Sequence, residues 1–217
     1  MNTRRVIQGE LALVLMVVLN SMAVVLLLHS GFGLSPMASV PHTWFRLFPG
    51  LTLGTWNYIF QTILVALLMV ARRKFVPTYL LAFVVGVAFG VGVDVHELWI
   101  STLPTTLPAR VACLLFGMAE LAVGISLANH CKLPIVPADL FPRELSATFS
   151  WPYKRVKTTG DLVCLSITVG LSLGLLDSLE GVGLGTVLCA LFMGRMAARC
   201  GTVLDRHFRF VSFLEPN

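Results

Sequence analysis

The amino-acid sequence predicts an all-α, polytopic membrane protein with six transmembrane helices, and its composition and long apolar stretches carry that prediction. Hydrophobic residues make up 56% of the 217 residues and charged residues only 12%, and the mean hydropathy is +0.84. Globular domains average about 45–50% apolar and about 25% charged residues. So little charge cannot cover a water-soluble surface of this size. A soluble enzyme, a disordered regulator and a secreted disulfide scaffold are therefore excluded.

Six stretches of the chain are each long enough to cross a membrane as a helix, because a hydrocarbon core of about 30 Å takes about 20 helical residues. They are continuously apolar and far longer than the strands of a membrane barrel, so helices are the expected structure. The predicted spans are 9–29, 54–71, 77–100, 108–128, 159–177 and 182–199.

The Lys and Arg residues predict how these spans are oriented. With the N-terminus in the cytoplasm, fourteen of the sixteen basic residues fall on the cytoplasmic side, and only Arg46 and Arg110 fall outside. Cytoplasmic loops of membrane proteins carry an excess of basic residues, so we expect both chain ends in the cytoplasm. The same distribution accounts for the net charge of +5 without a nucleic-acid partner.

The two halves of the chain, 1–107 and 108–217, resemble each other and predict two repeats of three helices. Because three is an odd number, the second repeat is expected to be inverted in the membrane, a common plan for secondary transporters. Chance recurrence of Gly, Leu and Ala in membrane helices is the alternative. The matching segments are LSPMAS (34–39) with IVPADL (135–140), TLGTW (52–56) with TTGDL (158–162), and PTYLLAFVVG (77–86) with GTVLCALFMG (185–194).

Two long connections, 30–53 and 129–158, mix glycine and proline with large apolar residues. In the first of them Ser35 and Pro36 predict the start of a short helix, because serine caps helix N-termini and proline suits the first helical position. If that helix dips into the protein, its N-terminus offers a site that attracts anions. If it lies at the membrane surface, it is an interfacial anchor. Both interpretations stay open at this point.

Three short motifs resemble a known family. GFGLSP (31–36) after the first span, Pro-Ala-Asp (137–139) after the fourth and GLGT (183–186) at the start of the sixth are similar to motifs of the YczE/YyaS-type bacterial integral membrane proteins, within the YitT-like group. The resemblance spans nearly the whole chain. It implies a six-helix protein of the bacterial inner membrane with a transport-like role.

Glu120 is the strongest single functional signal, because it lies near the middle of the fourth predicted span. A carboxylate at that depth costs several kcal/mol unless it is paired, protonated or facing water. Asn20 and Ser21 lie at a similar depth in the first span, so we expect Asn20 and Glu120 to face each other. Proton coupling through Glu120 is one interpretation, and a structural hydrogen bond between the two helices is the other.

The remaining polar candidates are distributed over both halves. Asn57 and Gln61 are four residues apart in the second span and either line a polar track or join helices. Thr158 and Asp161 predict a capped start of the fifth span. Asp94, His96 and Glu97 match no metal-binding signature, and no metal or cofactor is expected. The candidate solute-binding residues are Asn20, Ser21, Ser35, Pro36, Asn57, Gln61, Glu120, Asp139, Asp161 and Thr186.

These observations favour a small-solute transporter or channel of unknown substrate, with proton coupling as one mechanism. The alternative is a non-transporting accessory or scaffold subunit of a membrane assembly. No enzyme is expected, because the sequence contains no GxSxG, P-loop or HExxH motif. The expected partners are the lipid bilayer, a small solute, and a second copy of the chain or another membrane protein.

Overall fold

The computed structural model describes residues 5–73, 77–131, 133, 135–179 and 181–211. Within these residues the chain forms eight helices and two short strands. In chain order they are β1 (Arg5–Gln8), α1 (Gly9–Ser30), α2 (Pro36–Leu47), α3 (Leu53–Arg72), α4 (Thr78–Ile100), α5 (Leu107–His130), α6 (Pro137–Phe149), α7 (Tyr153–Leu175), α8 (Leu184–His207) and β2 (Phe208–Val211).

Six of these helices, α1, α3, α4, α5, α7 and α8, are long and apolar enough to cross a membrane. The predicted number of spans is therefore confirmed, and the chain is a multi-pass membrane protein. The fifth spanning helix, α7, begins at Tyr153, six residues before the fifth predicted span at 159–177. Thr158 and Asp161 consequently lie inside α7, and the capped helix start expected at these residues is wrong.

The two short helices, α2 and α6, occupy the two long connections, and each begins with a proline at its first position. Proline suits that position because its missing N–H would have no partner there. Ser35 is the residue that precedes α2, as predicted, although its hydroxyl makes no capping bond. Pro36, Ser39 and Thr43 are buried. The helix therefore begins inside the protein and not on the membrane surface.

The centre of the fold is the pair formed by α1 and α5, which share the most extensive contact in the molecule. Small residues let the two backbones approach. A Cβ atom at Gly117 of α5 would lie 3.1 Å from the Leu27 side chain and 3.2 Å from the Ala23 carbonyl oxygen. Close packing of this kind is typical of helices in a membrane, where small residues allow the van der Waals contact that holds the helices together.

The other helices surround this pair in a crossed arrangement. From the first half, α4 packs on α1 and α2 packs on α7; from the second half, α8 packs on α5 and α6 packs on α3. Each half contributes a long helix, a short proline-initiated helix and two further long helices. Because the short helix of each half packs on a long helix of the other, the halves are interlocked and form a single membrane domain.

The last two long helices of each half pack differently. α3 and α4 pack closely, and a Cβ atom at Gly90 would lie only 2.6 Å from the carbonyl oxygen of Gly54. At the same end Asp94 accepts hydrogen bonds from the Gly54 N–H and the Thr52 hydroxyl, both at 2.7 Å. By contrast α7 and α8 scarcely approach each other.

Strands β1 and β2, which the sequence analysis did not predict, pair in parallel, with Arg5 opposite Phe208 and Gln8 opposite Val211. The pairing brings the two ends of the described chain to one face of the molecule. An even number of crossings requires this arrangement. The strand pair also ties the start of α1 to the end of α8, because each strand is continuous with one of these helices.

Candidate functional site

A cavity of about 940 Å³ lies at the centre of the helices, with walls formed by every helix. His130 and Asp205, near the C-terminal ends of α5 and α8, line its rim. The cavity therefore extends from the middle of the protein to the face where the chain ends meet. Volumes of roughly 300–1,000 Å³ are typical of pockets for small molecules.

The N-termini of both short helices contribute to the cavity wall. Ser35 and Pro36 come from the start of α2, and Val136 and Asp139 from the start of α6. The first N–H groups of a helix have no partner within it and carry partial positive charge. Asp139, in the first turn of α6, offsets part of that charge, whereas the first turn of α2 contains no acidic residue.

Three residues of the cavity lining are deeply buried and have a side-chain oxygen without a hydrogen-bond partner in the described protein. They are Asn20 through Oδ1, Gln61 through Oε1 and Ser126 through Oγ. Their exposed fractions are 3%, 2% and 1%. Asn57 also lines the cavity and donates from Nδ2 to the Leu53 carbonyl oxygen at 3.0 Å. The three oxygens have almost no accessible surface, because each is packed against a glycine of a neighbouring helix and not exposed to the cavity.

Several charged side chains form the part of the cavity wall nearest the rim. Lys157 donates from Nζ to Oδ1 of Asp161 at 2.9 Å, one turn apart on α7. Desolvation raises the pKa of Asp139 on the neighbouring α6; Asp161 adds to the rise, and the positive charges of Lys157 and Arg143 oppose it. Desolvation and the nearby Asp139 also raise the pKa of the Tyr153 hydroxyl.

A contact between His130 and Asp205 at the rim joins α5 to α8. The His130 Nε2 atom lies 3.1 Å from Oδ1 of Asp205. The other ring nitrogen of His130 lies 2.6 Å from the carbonyl oxygen of Ser126. These contacts hold the end of α8 against α5, so the wall made by α8 is anchored at this end of the molecule.

Seven of the ten sequence-predicted residues line the cavity: Asn20, Ser35, Pro36, Asn57, Gln61, Asp139 and Asp161. Glu120 does not. It lines a separate apolar groove with Met22, Leu26 and Trp99, and no described hydrogen bond joins it to Asn20. The expectation that these two residues face each other is therefore wrong. Asn20 lies instead against Gly124, where a Cβ atom would overlap its side-chain oxygen.

Ser21 and Thr186 also lie away from the cavity. The Ser21 hydroxyl donates to the Val18 carbonyl oxygen of its own helix at 3.0 Å and packs against Gly92 of α4. Thr186 accepts a hydrogen bond from the Gly183 N–H at 3.2 Å, at the start of α8. Their role in the fold is to stabilise helix contacts at a distance from the candidate site.

The sequence analysis missed Lys157, Ser126 and Tyr153 as cavity residues. For Lys157 a signal was present, because a lysine four residues before an aspartate is typical of an ion pair on one helix face. Ser126 is a single hydroxyl in an apolar stretch and Tyr153 precedes the apolar part of its helix, so neither carried a distinguishing pattern.

At the end of the molecule opposite the rim, two glycine-rich segments close the helices against each other. The Gly185 N–H donates to the Phe32 carbonyl oxygen at 2.6 Å, and the Leu34 N–H donates to the Gly181 carbonyl oxygen at 2.9 Å. These are the GFGLSP and GLGT motifs of the family resemblance. Two of its three motifs thus contact each other, and the third, which contains Asp139, lines the cavity.

Six spanning helices around an internal cavity, to which the N-termini of two short helices contribute, define a multi-pass membrane protein. The chain belongs to a family of unknown function, DUF6198, whose model matches residues 7–202. It is similar to uncharacterized protein YyaS of Bacillus subtilis (strain 168), with 25% identity over 201 residues, which cover 88% of this chain and 92% of the relative. The resemblance predicted from the three motifs is therefore confirmed. No solved structure matches the chain.

Proposed function

We propose that the protein is a small-solute membrane transporter and that the central cavity is its solute-binding site. The observation that carries this proposal is a cavity of about 940 Å³ inside the membrane bundle, lined by the polar side chains of Asn57, Asp139, Lys157 and Asp161. Polar groups at membrane depth are costly and typically mark substrate or ion pathways.

The closed end of the molecule favours a transporter over an open channel. The backbone bonds between the two glycine motifs and the packing of α3 on α4 block the end opposite the rim. A channel in its conducting state needs a continuous path between both faces. A transporter exposes its site to one face at a time, and a cavity closed at one end is what that mechanism requires.

The difference between the halves supports an inverted repeat with two access states. In the alignment of the halves Gly54 of α3 corresponds to Gly160 of α7, and Gly90 of α4 corresponds to Ala198 of α8. The first pair is in close contact, whereas α7 and α8 are apart. If the halves exchange conformations, α7 closes on α8 and α3 separates from α4. The cavity then opens to the opposite face.

Proton coupling is assigned in this proposal to Asp139 and not to Glu120. Asp139 lines the cavity, while Glu120 lies in the separate apolar groove. Desolvation, strengthened by the negative charge of Asp161, raises the pKa of Asp139 despite the opposing charges of Lys157 and Arg143. A carboxyl group with a raised pKa exchanges a proton closer to physiological pH than a solvated one does.

We place the protein in the bacterial inner membrane with both chain ends in the cytoplasm. The basic residues support this orientation through the positive-inside rule. The pairing of β1 with β2 agrees with it, because both ends then lie at one face. In this orientation the cavity is open to the cytoplasm.

A scaffold or accessory subunit is the second candidate, and the surface of α7 favours it. Cβ atoms at Gly170 and Gly174 would meet no described atom within 4 Å. Bare glycine faces are typical of helices that pack on a partner in the membrane. A second copy of the chain or another membrane protein are both suitable partners for this surface.

Liposome uptake tests the transport proposal. We expect liposomes containing the protein to accumulate one of a panel of radiolabelled amines, carboxylates, amino acids and sugars, driven by an imposed proton gradient. Asp139→Asn is expected to remove the dependence on the gradient, because an amide in place of the carboxyl group has no acidic proton to exchange. Glu120→Gln is the matched control and is expected to transport as the unmodified protein does.

Two outcomes would count against the transport proposal. If no solute accumulates above protein-free liposomes under either direction of the gradient, although the reconstituted protein is folded, the transport proposal fails. If the protein in mild detergent is found only in a stoichiometric complex with another membrane protein, the scaffold function is favoured.

A further inference from the structure

The carboxylate of Asp94 joins the two helices that close the end of the molecule opposite the rim. Its Oδ1 atom accepts a hydrogen bond from the Gly54 N–H, and its Oδ2 atom accepts one from the Thr52 hydroxyl, both at 2.7 Å. Gly54 lies in the first turn of α3, where backbone N–H groups have no partner within the helix. The side chain from α4 therefore caps α3, and its negative charge faces the positive end of the α3 dipole.

Two glycines and a second threonine make this contact possible. A Cβ atom at Gly54 would lie 2.6 Å from the carboxyl carbon of Asp94 and would overlap the Gly90 carbonyl oxygen. Oγ1 of Thr52 also accepts a hydrogen bond from the Thr55 N–H at 3.1 Å. That bond holds the Thr52 hydroxyl in place, so that it donates to the carboxylate. The helices are therefore joined by a hydrogen-bonded network as well as by close packing.

The network lies one helical turn from the cavity. Asn57, three residues after Gly54 on α3, lines the cavity, and so does Phe89, which precedes Gly90 on α4. Asp94 itself is not part of the cavity lining. If α3 separates from α4 at this point, water enters the cavity from the end that is closed in this structure.

Among the described residues, the second half has no equivalent network. In the alignment of the halves Asp94 corresponds to Thr202 of α8, whose hydroxyl donates to the Ala198 carbonyl oxygen of its own helix at 3.0 Å. Because α7 begins at Tyr153, the N–H of Gly160 lies inside the helix and is not free to bind a side chain from α8. Closure of α7 on α8 would therefore form no bonds like those of Asp94.

We infer that Asp94 is a positioning residue that keeps the end opposite the rim closed, and that its bonds make the state observed here the resting state of the transporter. The inference rests on the proposed function, because it requires that the halves exchange conformations. Only one of the two states contains these bonds, so a solute must bind the other state more tightly in order to populate it. An empty cavity thus remains open at the rim alone.

A reporter cysteine in the cavity tests the inference. Gly194 lines the cavity near the middle of α8, and a Cβ atom there would meet no described atom within 4 Å. With the five native cysteines replaced by alanine, Gly194→Cys provides a single thiol in the cavity. A charged, membrane-impermeant methanethiosulfonate is added to right-side-out and to inside-out membrane vesicles, and the labelling rate is measured from each face. A tag on the C-terminus shows which vesicles expose the face of the chain ends.

With Asp94 intact, we expect labelling from the face of the chain ends to be at least about tenfold faster than from the other face. Asp94→Ala is expected to raise the rate from the other face at least about tenfold, because two bonds to an ionised acceptor are lost and such bonds are the strong ones. Glu97→Ala is the matched control. It removes an acidic side chain one turn further along α4, for which the structure describes no hydrogen bond to α3, and it is expected to label as the reporter alone does.

A milder variant keeps the test decisive if Asp94→Ala folds poorly. In Asp94→Asn one oxygen acceptor remains and the negative charge is lost, so we expect a smaller rise in the labelling rate from the same face. Monodisperse elution in detergent shows that each variant is folded. An unchanged rate from that face in both folded variants would overturn the inference, and an equal rise in Glu97→Ala would overturn it as well.

The labelling result is separable from the uptake result. Solute uptake by liposomes, together with labelling that Asp94→Ala leaves unchanged, would overturn the role of Asp94 and leave the transport proposal standing. A faster rate in Asp94→Ala without uptake of any solute would support the role of Asp94 in closing this end and count against transport. Equal labelling from both faces with Asp94 intact would overturn both, because the cavity would then have no closed end.

Discussion

Gly54→Leu is expected to prevent α3 from packing on α4 and to destabilise the protein by at least about 3 kcal/mol. Overpacking costs about 1–3 kcal/mol when side chains can shift, but here a Cβ atom at position 54 would overlap the carbonyl oxygen of Gly90 and approach the Asp94 carboxylate at 2.6 Å. A backbone carbonyl inside a helix cannot move away without displacing the helix. Thermal unfolding in detergent and the yield of monodisperse protein measure the effect.

Gly160→Leu is the matched control for this variant, because Gly160 takes the corresponding place in the second half. Its Cβ atom would meet only the terminal methyl group of Met37, at 3.5 Å, among the described residues. We expect stability within about 1 kcal/mol of the unmodified protein but loss of transport, since in the proposed alternate state position 160 would meet α8 as Gly54 meets α4 here, and a leucine would block that closure. Equal destabilisation by the two leucines would contradict the asymmetric packing.

Gly33→Ala is expected to open the contact between the two glycine motifs and to destabilise the protein by about 2–4 kcal/mol. Gly33 has a φ of +106°, which side chains rarely adopt. An added Cβ atom would lie 2.5 Å from Oγ1 of Thr186 and 2.6 Å from the backbone nitrogen of Gly183. Strain and overlap therefore act together at this position.

Gly50→Ala serves as the control for the Gly33 variant. Gly50 lies in the same connection between α1 and α3, and its Cβ atom would have no described neighbour within 4 Å. We expect its thermal midpoint to match that of the unmodified protein. A midpoint for Gly33→Ala as high as that of Gly50→Ala would show that the motif contact contributes little to the fold.

The number and order of the spanning helices could be predicted from the sequence because continuous apolar runs of this length have one stable structure in lipid. The start of α2 was predictable from Ser35 and Pro36 for a local reason, since the preference of proline for the first helical position depends on no other part of the chain. The start of α7 could not be predicted in this way, because hydropathy marks where a helix enters the membrane. The helix continues beyond that point, through polar residues, back to Tyr153.

The candidate site was predictable only in part, and Glu120 shows why. Counting residues from the helix ends gives the depth of a side chain but not the direction in which it points. That direction depends on how neighbouring helices rotate and cross, which no local pattern encodes. Gln61 was found because polar residues inside a membrane span are rare, and Asp139 because it belongs to the Pro-Ala-Asp motif of the family resemblance. The pairing of β1 with β2 joins the two ends of the described chain, beyond the reach of any local signal.

The strand pair has a mechanical consequence for the proposed access cycle. It ties the C-terminal end of α8 to the start of α1, and the contact between His130 and Asp205 ties the same end to α5. Both anchors belong to the central helices. The moving wall is therefore α7, and α2 travels with it, because Ser39 and Thr168 hydroxyls hydrogen-bond at 2.8 Å across their contact. In transport, α7 and α2 would then move together, while α1, α5 and α8 stay fixed relative to one another.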